Sequence, residues 1–148
     1  MNRIGFSFEQ YHDPWGNWEG VVPLVDGVSL LKLIADFELA KDWDVPGQYA
    51  GIAPAFIDAK RWIRSLRGQG RPEYEQMEST WLLGCGCSVA GCWPLEARVV
   101  IEADTVAWDR FRQPFRPKRD YSGFGPFVFH RGEYEGAVDE LAVSLVVR

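Results

Sequence analysis

Residues 3–9 alternate, with Ile4, Phe6 and Phe8 on one side and Arg3, Gly5, Ser7 and Glu9 on the other, which predicts a half-buried strand. The next stretch, Tyr11-His12-Asp13-Pro14-Trp15-Gly16-Asn17-Trp18, is aromatic and punctuated by Pro and Gly, and reads as a loop. Val21 to Val25 suits a short strand that Pro23 confines to an edge. Ser29 is an N-cap candidate ahead of Leu30, Leu33, Ile34 and Phe37 at helical spacing, so a helix is expected over about 30–41. Pro54 suits the first turn of a second helix, with Phe56, Ala59, Ile63 and Leu66 as its buried stripe and Gly68 as its end. Residues 68–78 are polar and expected at the surface.

The central segment carries two apolar rows: Trp81, Leu83, Cys85 and Cys87, then Trp93, Leu95, Ala97, Val99 and Ile101. A three-residue loop, Val89-Ala90-Gly91, sets both rows on one face and pairs Leu83 with Ala97 and Trp81 with Val99. A second turn at Ala103-Asp104 pairs Ile101 with Val106 and Val99 with Trp108, and places Arg98 opposite Asp109 as a cross-strand ion pair. The exposed face would carry Glu96, Arg98, Glu102 and Asp109. After an irregular stretch, Phe127–Phe129 forms a short strand. Tyr134, Val138, Leu141 and Leu145 then mark an amphipathic C-terminal helix over 131–147. The expected fold is therefore α+β, a single domain over 1–148. Its sheet is mainly antiparallel, with a meander over about 80–112, packed by two or three helices including the C-terminal one.

Composition changes the picture in two ways. At 148 residues, 47% apolar and 25% charged, the chain is an ordinary globular domain, but its 7 Trp, 9 Phe and 5 Tyr are a surplus of aromatic residues. The net charge of −5 lies wholly in residues 1–60, which hold 9 acidic and 4 basic side chains. The acidic balance disfavours nucleic-acid binding. No apolar run is long enough for a membrane span, and the N-terminus lacks the pattern of a secretory signal. With three clustered cysteines, a cytoplasmic protein with reduced thiols is expected.

Cys85, Cys87 and Cys92 form C-x-C-x4-C, close enough to supply three zinc ligands, with His12 or His130 as a distant fourth. The hairpin register argues against this, because it sends Cys92 to the face opposite Cys85 and Cys87. The favoured reading is two buried cysteines, Cys85 and Cys87, acting as small hydrophobes, with Cys92 a partly exposed thiol, ahead of zinc and of a redox or nucleophilic role. His12-Asp13 are sequence neighbours without implied catalytic orientation, and His130 falls at the start of the last helix. The pairs Glu133/Glu135 and Asp139/Glu140 fall on its solvent face. Arg110 to Tyr121 interleaves five basic residues with aromatics, and Arg112, Arg116 and Arg119 could contact an anion or an acidic partner.

The segments LGCGCSVAGCWPLEARV, VAWDRFRQPFRP and RDYSGFGPFVFHRGEY resemble a set of uncharacterised bacterial proteins. These share an LGC-C-x3-GCWPL core, a W-x2-F-x-QP-x-RP segment and a DYSG-x-GPF-x-F stretch. Members often carry His at the position of Phe115 and Asp at that of His130, so any role of that His is lost at Phe115. The resemblance covers about a third of the chain and implies a bacterial, cytosolic, single-domain protein, with no activity to carry over.

The function expected is that of a small non-catalytic binding protein, immunity-type or regulatory, without a cofactor. Its partner would be another protein or a small anionic ligand. Tyr11, Trp15 and Trp18 are its aromatic anchors, and Arg112, Arg116, Arg119 and Tyr121 its basic-loop contacts. The alternatives are an enzyme with a site between the His12-Asp13 loop and the Arg112–Tyr121 loop, and a zinc protein using Cys85, Cys87 and Cys92.

Overall fold

The two halves of the N-terminal aromatic stretch pair with each other. In a computed structural model that describes residues 1–69 and 79–148, β1 (Ile4–Asp13) and β2 (Gly16–Val25) form one long antiparallel hairpin with Pro14-Trp15 at its tip. This corrects the expected loop over 11–18: Pro14 lies in the two-residue turn, Gly16 is the first residue of β2 beyond it, and the flanking aromatics pair across the hairpin, Tyr11 opposite Trp18. Strand β2 is not an edge either. It pairs with β1 on one side, and on the other with β3 (Val28–Ser29) and with Ile52. Pro23 falls between the Val21–Ile52 bridge and the Leu24–Ser29 pair, where the ladder needs no N–H.

Helix α1 (Leu30–Ala40) begins as expected, with the Ser29 hydroxyl accepting from the Leu31 N–H at 3.2 Å. The second helix starts later than Pro54 suggests. Pro54–Phe56 makes only a 3-10 turn, and α2 (Ala59–Leu66) is capped by Asp58, whose carboxylate accepts from Arg61 N. Phe56 is consequently 61% exposed, and Trp62 joins Ile63 and Leu66 in the core.

The larger sheet runs β4 (Tyr49–Ala50), β5 (Ser79–Cys85), β6 (Leu95–Ile101), β7 (Thr105–Arg112) and β8 (Phe127–His130), all antiparallel in that order. The Ala103-Asp104 turn and the pairs Ile101–Val106, Val99–Trp108 and Arg98–Asp109 are as expected, with Arg98 bonded to both Asp109 oxygens at 2.8 and 2.7 Å. The β5–β6 register is not. Thr80 pairs with Ala97, Trp81 with Glu96, and Leu83 with Leu95 across a bulge. Thr80 and Leu82 therefore face inward, and the Thr80 hydroxyl is satisfied by the Ser65 carbonyl. Glu96, expected on the exposed face, is buried and pairs with Arg112. A second bulge, with Arg110 at φ 49°, aims Arg112 at it. The expected polar surface at 68–78 lies outside the described residues beyond position 69.

Helix α3 (Arg131–Val147) buries Tyr134, Val138 and Leu141 and presents Glu133, Glu135, Asp139 and Glu140 to solvent. The Tyr134 hydroxyl donates to the Leu66 carbonyl at 2.6 Å and accepts from Trp108 Nε1 at 3.0 Å, tying α3 to α2 and β7. Single bridges join the two sheets at both edges: Asn2 to Phe129 beside β8, and Val21 to Ile52 just after β4. The second junction needs glycine. A Cβ on Gly51 would lie 2.8 Å from the Gly20 carbonyl carbon, so only bare backbone lets the segments approach. One core, with Leu30, Ile34, Ile52, Leu82, Trp108 and Val138 among its members, runs through both sheets and all three helices of the described residues, giving the α+β architecture. No described helix is long and apolar enough to cross a membrane.

Candidate functional site: a three-thiol cavity above a buried ion pair

The chain leaving β5 turns back twice. Ser88, at φ 74°, closes a turn in which its N–H donates to the Cys85 carbonyl at 3.1 Å. A 3-10 turn over Ala90–Cys92 follows, with Cys92 N–H on the Val89 carbonyl at 3.0 Å. Gly84 permits this fold-back, since a Cβ there would meet Ala90 Cα at 2.9 Å. The strand thus ends before residue 86, and Cys92 returns to the side of Cys85 and Cys87. The Sγ atoms of Cys85, Cys87 and Cys92 all lie within 4.8 Å of one another. This overturns the premise that Cys92 sits on the opposite face. Cys85 is half-buried and Cys87 and Cys92 are exposed, so none is a buried core residue.

The thiols differ in acidity. Burial raises Cys85 to about 11. Burial acts in the same direction on Cys87, but hydrogen bonds with Cys85 and Cys92 outweigh it and lower the thiol below its ordinary value. Cys87 is therefore a readier thiolate than Cys85.

The thiols open into a cavity of about 440 Å³ whose other walls include Val45, Gln48, Tyr49, Trp93 and Arg116. Trp93 is pinned by its Nε1 donating to the Gly47 carbonyl at 3.1 Å, and the Arg116 guanidinium lies 4.8 Å from its ring centroid.

Below this wall lies Glu38, which is 0% exposed. Its Oε1 accepts from Gly47 N–H at 2.7 Å. Its Oε2 accepts from the Tyr49 hydroxyl at 2.9 Å, from the Tyr121 hydroxyl and from Arg119 Nη1 at 3.3 Å. The Arg119 side chain is 7% exposed, donates also to the carbonyls of Asp44 and Val45, and lies over Trp43. Burial, followed by the bond to Glu38, pushes Tyr121 up to about 12, and burial raises Tyr49 further. The network fixes the 43–49 segment that forms one wall of the cavity.

The other sequence-derived residues are distributed as follows. Tyr11 and Trp18 stack at 4.2 Å. Trp18 is 8% exposed and donates to Asp13 at 2.7 Å, while Tyr11 accepts from Gly51 N–H and donates to Glu9. Trp15 alone of this trio is free of the core, at 80% exposure. His12 Nδ1 meets Asn17 Oδ1 across the hairpin, and His130 is the N-cap residue of α3 without a side-chain capping bond. Arg112 is held by Glu96, and Phe115 is exposed. The structure thus brings Cys85, Cys87, Cys92 and Arg116 together, and places Arg119 and Tyr121 behind them on Glu38. Sequence reasoning missed Glu38, Tyr49 and Trp93 as a set. The available signal was Glu38 itself, a carboxylate four residues from Ile34 on the apolar side of α1. Comparison of the chain with protein-family models, with curated proteins and with solved structures finds no match in any of the three.

Proposed function

We propose that the protein is a non-catalytic binding protein whose ligand is a thiophilic metal ion, zinc in the first instance, held by Cys85, Cys87 and Cys92. The observation that carries this reading is the approach of the three Sγ atoms to within 4.8 Å at an open cavity. Sulfur binds zinc at about 2.3 Å, which makes the edge of a tetrahedron about 3.8 Å, so closing the site requires movements of about 1 Å or less. Two of the thiols are exposed and sit on a turn, where such movements are easily accommodated.

The test is titration of the reduced protein with Co2+ and Zn2+. One equivalent of cobalt should produce a sulfur-to-metal charge-transfer band, and zinc should displace it while shielding all three thiols from a thiol reagent. Replacing any one of the cysteines with Ser should weaken uptake at least tenfold. No charge-transfer band, or unshielded thiols at saturating metal, would overturn the reading. Trp15 favours a second reading, contact with another protein through the hairpin tip. In that case Trp15→Ser abolishes the contact and leaves metal uptake as it was.

A further inference from the structure

We infer that the three-thiol centre leaves its fourth coordination position open to the cavity and takes a small anionic donor there, with Arg116 as its counter-charge. This rests on the metal reading above and extends it to a ligand class. Among the described residues the metal-ligating cluster is three cysteines and no fourth His, Cys, Asp or Glu joins it. Structural zinc sites fill all four positions with protein atoms, whereas a site with three protein ligands keeps one for an outside molecule. All three cysteines line the same space of about 440 Å³, enough for a small ligand beside a metal rather than a lone water.

Charge selects the ligand. Three thiolates on a divalent ion sum to −1, and a fourth anionic ligand brings the centre to −2. Arg116 supplies the compensating cation on the cavity wall, its guanidinium held against Trp93 and one Nη bonded to the Phe115 carbonyl at 2.9 Å. A guanidinium offers five N–H donors in a fixed fork, so one backbone bond leaves capacity for an anion. A metal chosen by three sulfurs prefers a further soft donor. The class is therefore a low-molecular-weight thiolate, with Trp93 and Val45 as apolar walls for its carbon skeleton.

The experiment uses the full chain loaded with one equivalent of Co2+ in a non-thiol reductant. Mercaptoethanol and, separately, chloride are then titrated while the charge-transfer and ligand-field bands are followed. Mercaptoethanol should add charge-transfer intensity of about one third, as three sulfurs become four, and should saturate. Chloride should compete only weakly. In Arg116→Gln, cobalt stoichiometry should remain one while the thiolate titration midpoint rises roughly tenfold, the lower end for one charge-assisted contact. If the bands of the loaded protein do not change with either anion, the fourth position is already filled by the protein and the inference falls, while the metal reading stands. If the response to thiolate is identical in Arg116→Gln, the assigned role of Arg116 falls. If no cobalt band forms at the outset, the metal reading itself has failed.

Discussion

Replacing Arg119 with Ala isolates the buried pair beneath the cavity. At 3.3 Å and an effective dielectric constant of about 20, the attraction between Arg119 and Glu38 is about 5 kcal/mol. Alanine removes that attraction but leaves Glu38 buried, and stranding one member of a buried pair costs about 3–5 kcal/mol. Gly47, Tyr49 and Tyr121 still donate to the carboxylate, which argues for the lower end, about 3 kcal/mol. Loss of the contact over Trp43 and of the bonds to the Asp44 and Val45 carbonyls adds about 1 kcal/mol. The expected total is about 4 kcal/mol. For a chain of 148 residues this corresponds to a fall in Tm of about 12 °C. Urea unfolding at pH 7 with calorimetry measures both numbers, and the urea slope should be unchanged. Arg119→Lys should lose less than Ala, because an ammonium restores the charge without the forked bonds. A loss below about 1 kcal/mol in Arg119→Ala, the value of an exposed pair, would refute the reasoning. So would additive effects of Arg119→Ala and Glu38→Gln, since contacting residues in one network should couple by about 1 kcal/mol or more.

Tyr134→Phe should cost about 2–3 kcal/mol in denaturant unfolding, because it strands the buried Trp108 N–H and the Leu66 carbonyl together; a loss under 0.5 kcal/mol would contradict the geometry. Tyr11 and Tyr121, both pushed up to about 12 chiefly by burial, ionise more readily unfolded than folded. Above their unfolded value of about 10 the unfolded chain binds fewer protons, so stability should be intact below pH 10 and drain away between about pH 10 and 12, visible as tyrosinate absorbance rising together with loss of fold. In the metal-free protein, alkylation followed by peptide mass spectrometry should label Cys87 ahead of Cys85, with a pH midpoint below the ordinary thiol value for Cys87 and near 11 for Cys85; the reverse order would overturn the assignment of Cys87 as the readier thiolate. Trp15→Ser should shift stability by no more than about 0.5 kcal/mol, since the ring is exposed at the hairpin tip; a larger loss would mean that it packs on the fold.

Elements carried by signals within a few residues were legible in the sequence. Ser29 caps α1, Ala103-Asp104 turns β6 into β7, and the spacing of Tyr134, Val138 and Leu141 defines α3. The N-terminal hairpin was not legible, for a physical reason. Its evidence as paired strands is the stacking of Tyr11 on Trp18, a contact across the turn, while Pro14 and Gly16 supply strong local turn signals. Pro23 misled in the same way. Whether a proline is tolerated in a strand depends on which neighbour its nitrogen faces, and here it faces the gap between Ile52 and Ser29.

The three-thiol site shows where face alternation stops being a valid argument. The parity of side chains along β5 holds only while the backbone stays extended. It is already displaced by the bulge between Trp81 and Leu83, and it ends at the turn where Ser88 takes a positive φ. Beyond that point the 3-10 turn, not the count of residues, decides where Cys92 points. The spacing C-x-C-x4-C was therefore the better signal, because three cysteines within eight residues can converge whatever the connecting backbone does. The rest of the cavity has no such local signature. Tyr49, Trp93 and Arg116 come from three separated segments. They are brought into register by one buried carboxylate on α1, by the Gly47 carbonyl that holds Trp93, and by Arg119, which clamps the 43–49 segment from the far end of the basic loop. Arginines that look alike in the sequence thus diverge in role according to burial. Arg119, enclosed with Glu38, builds the wall, whereas Arg116, on the cavity side of Trp93, is left to face whatever enters.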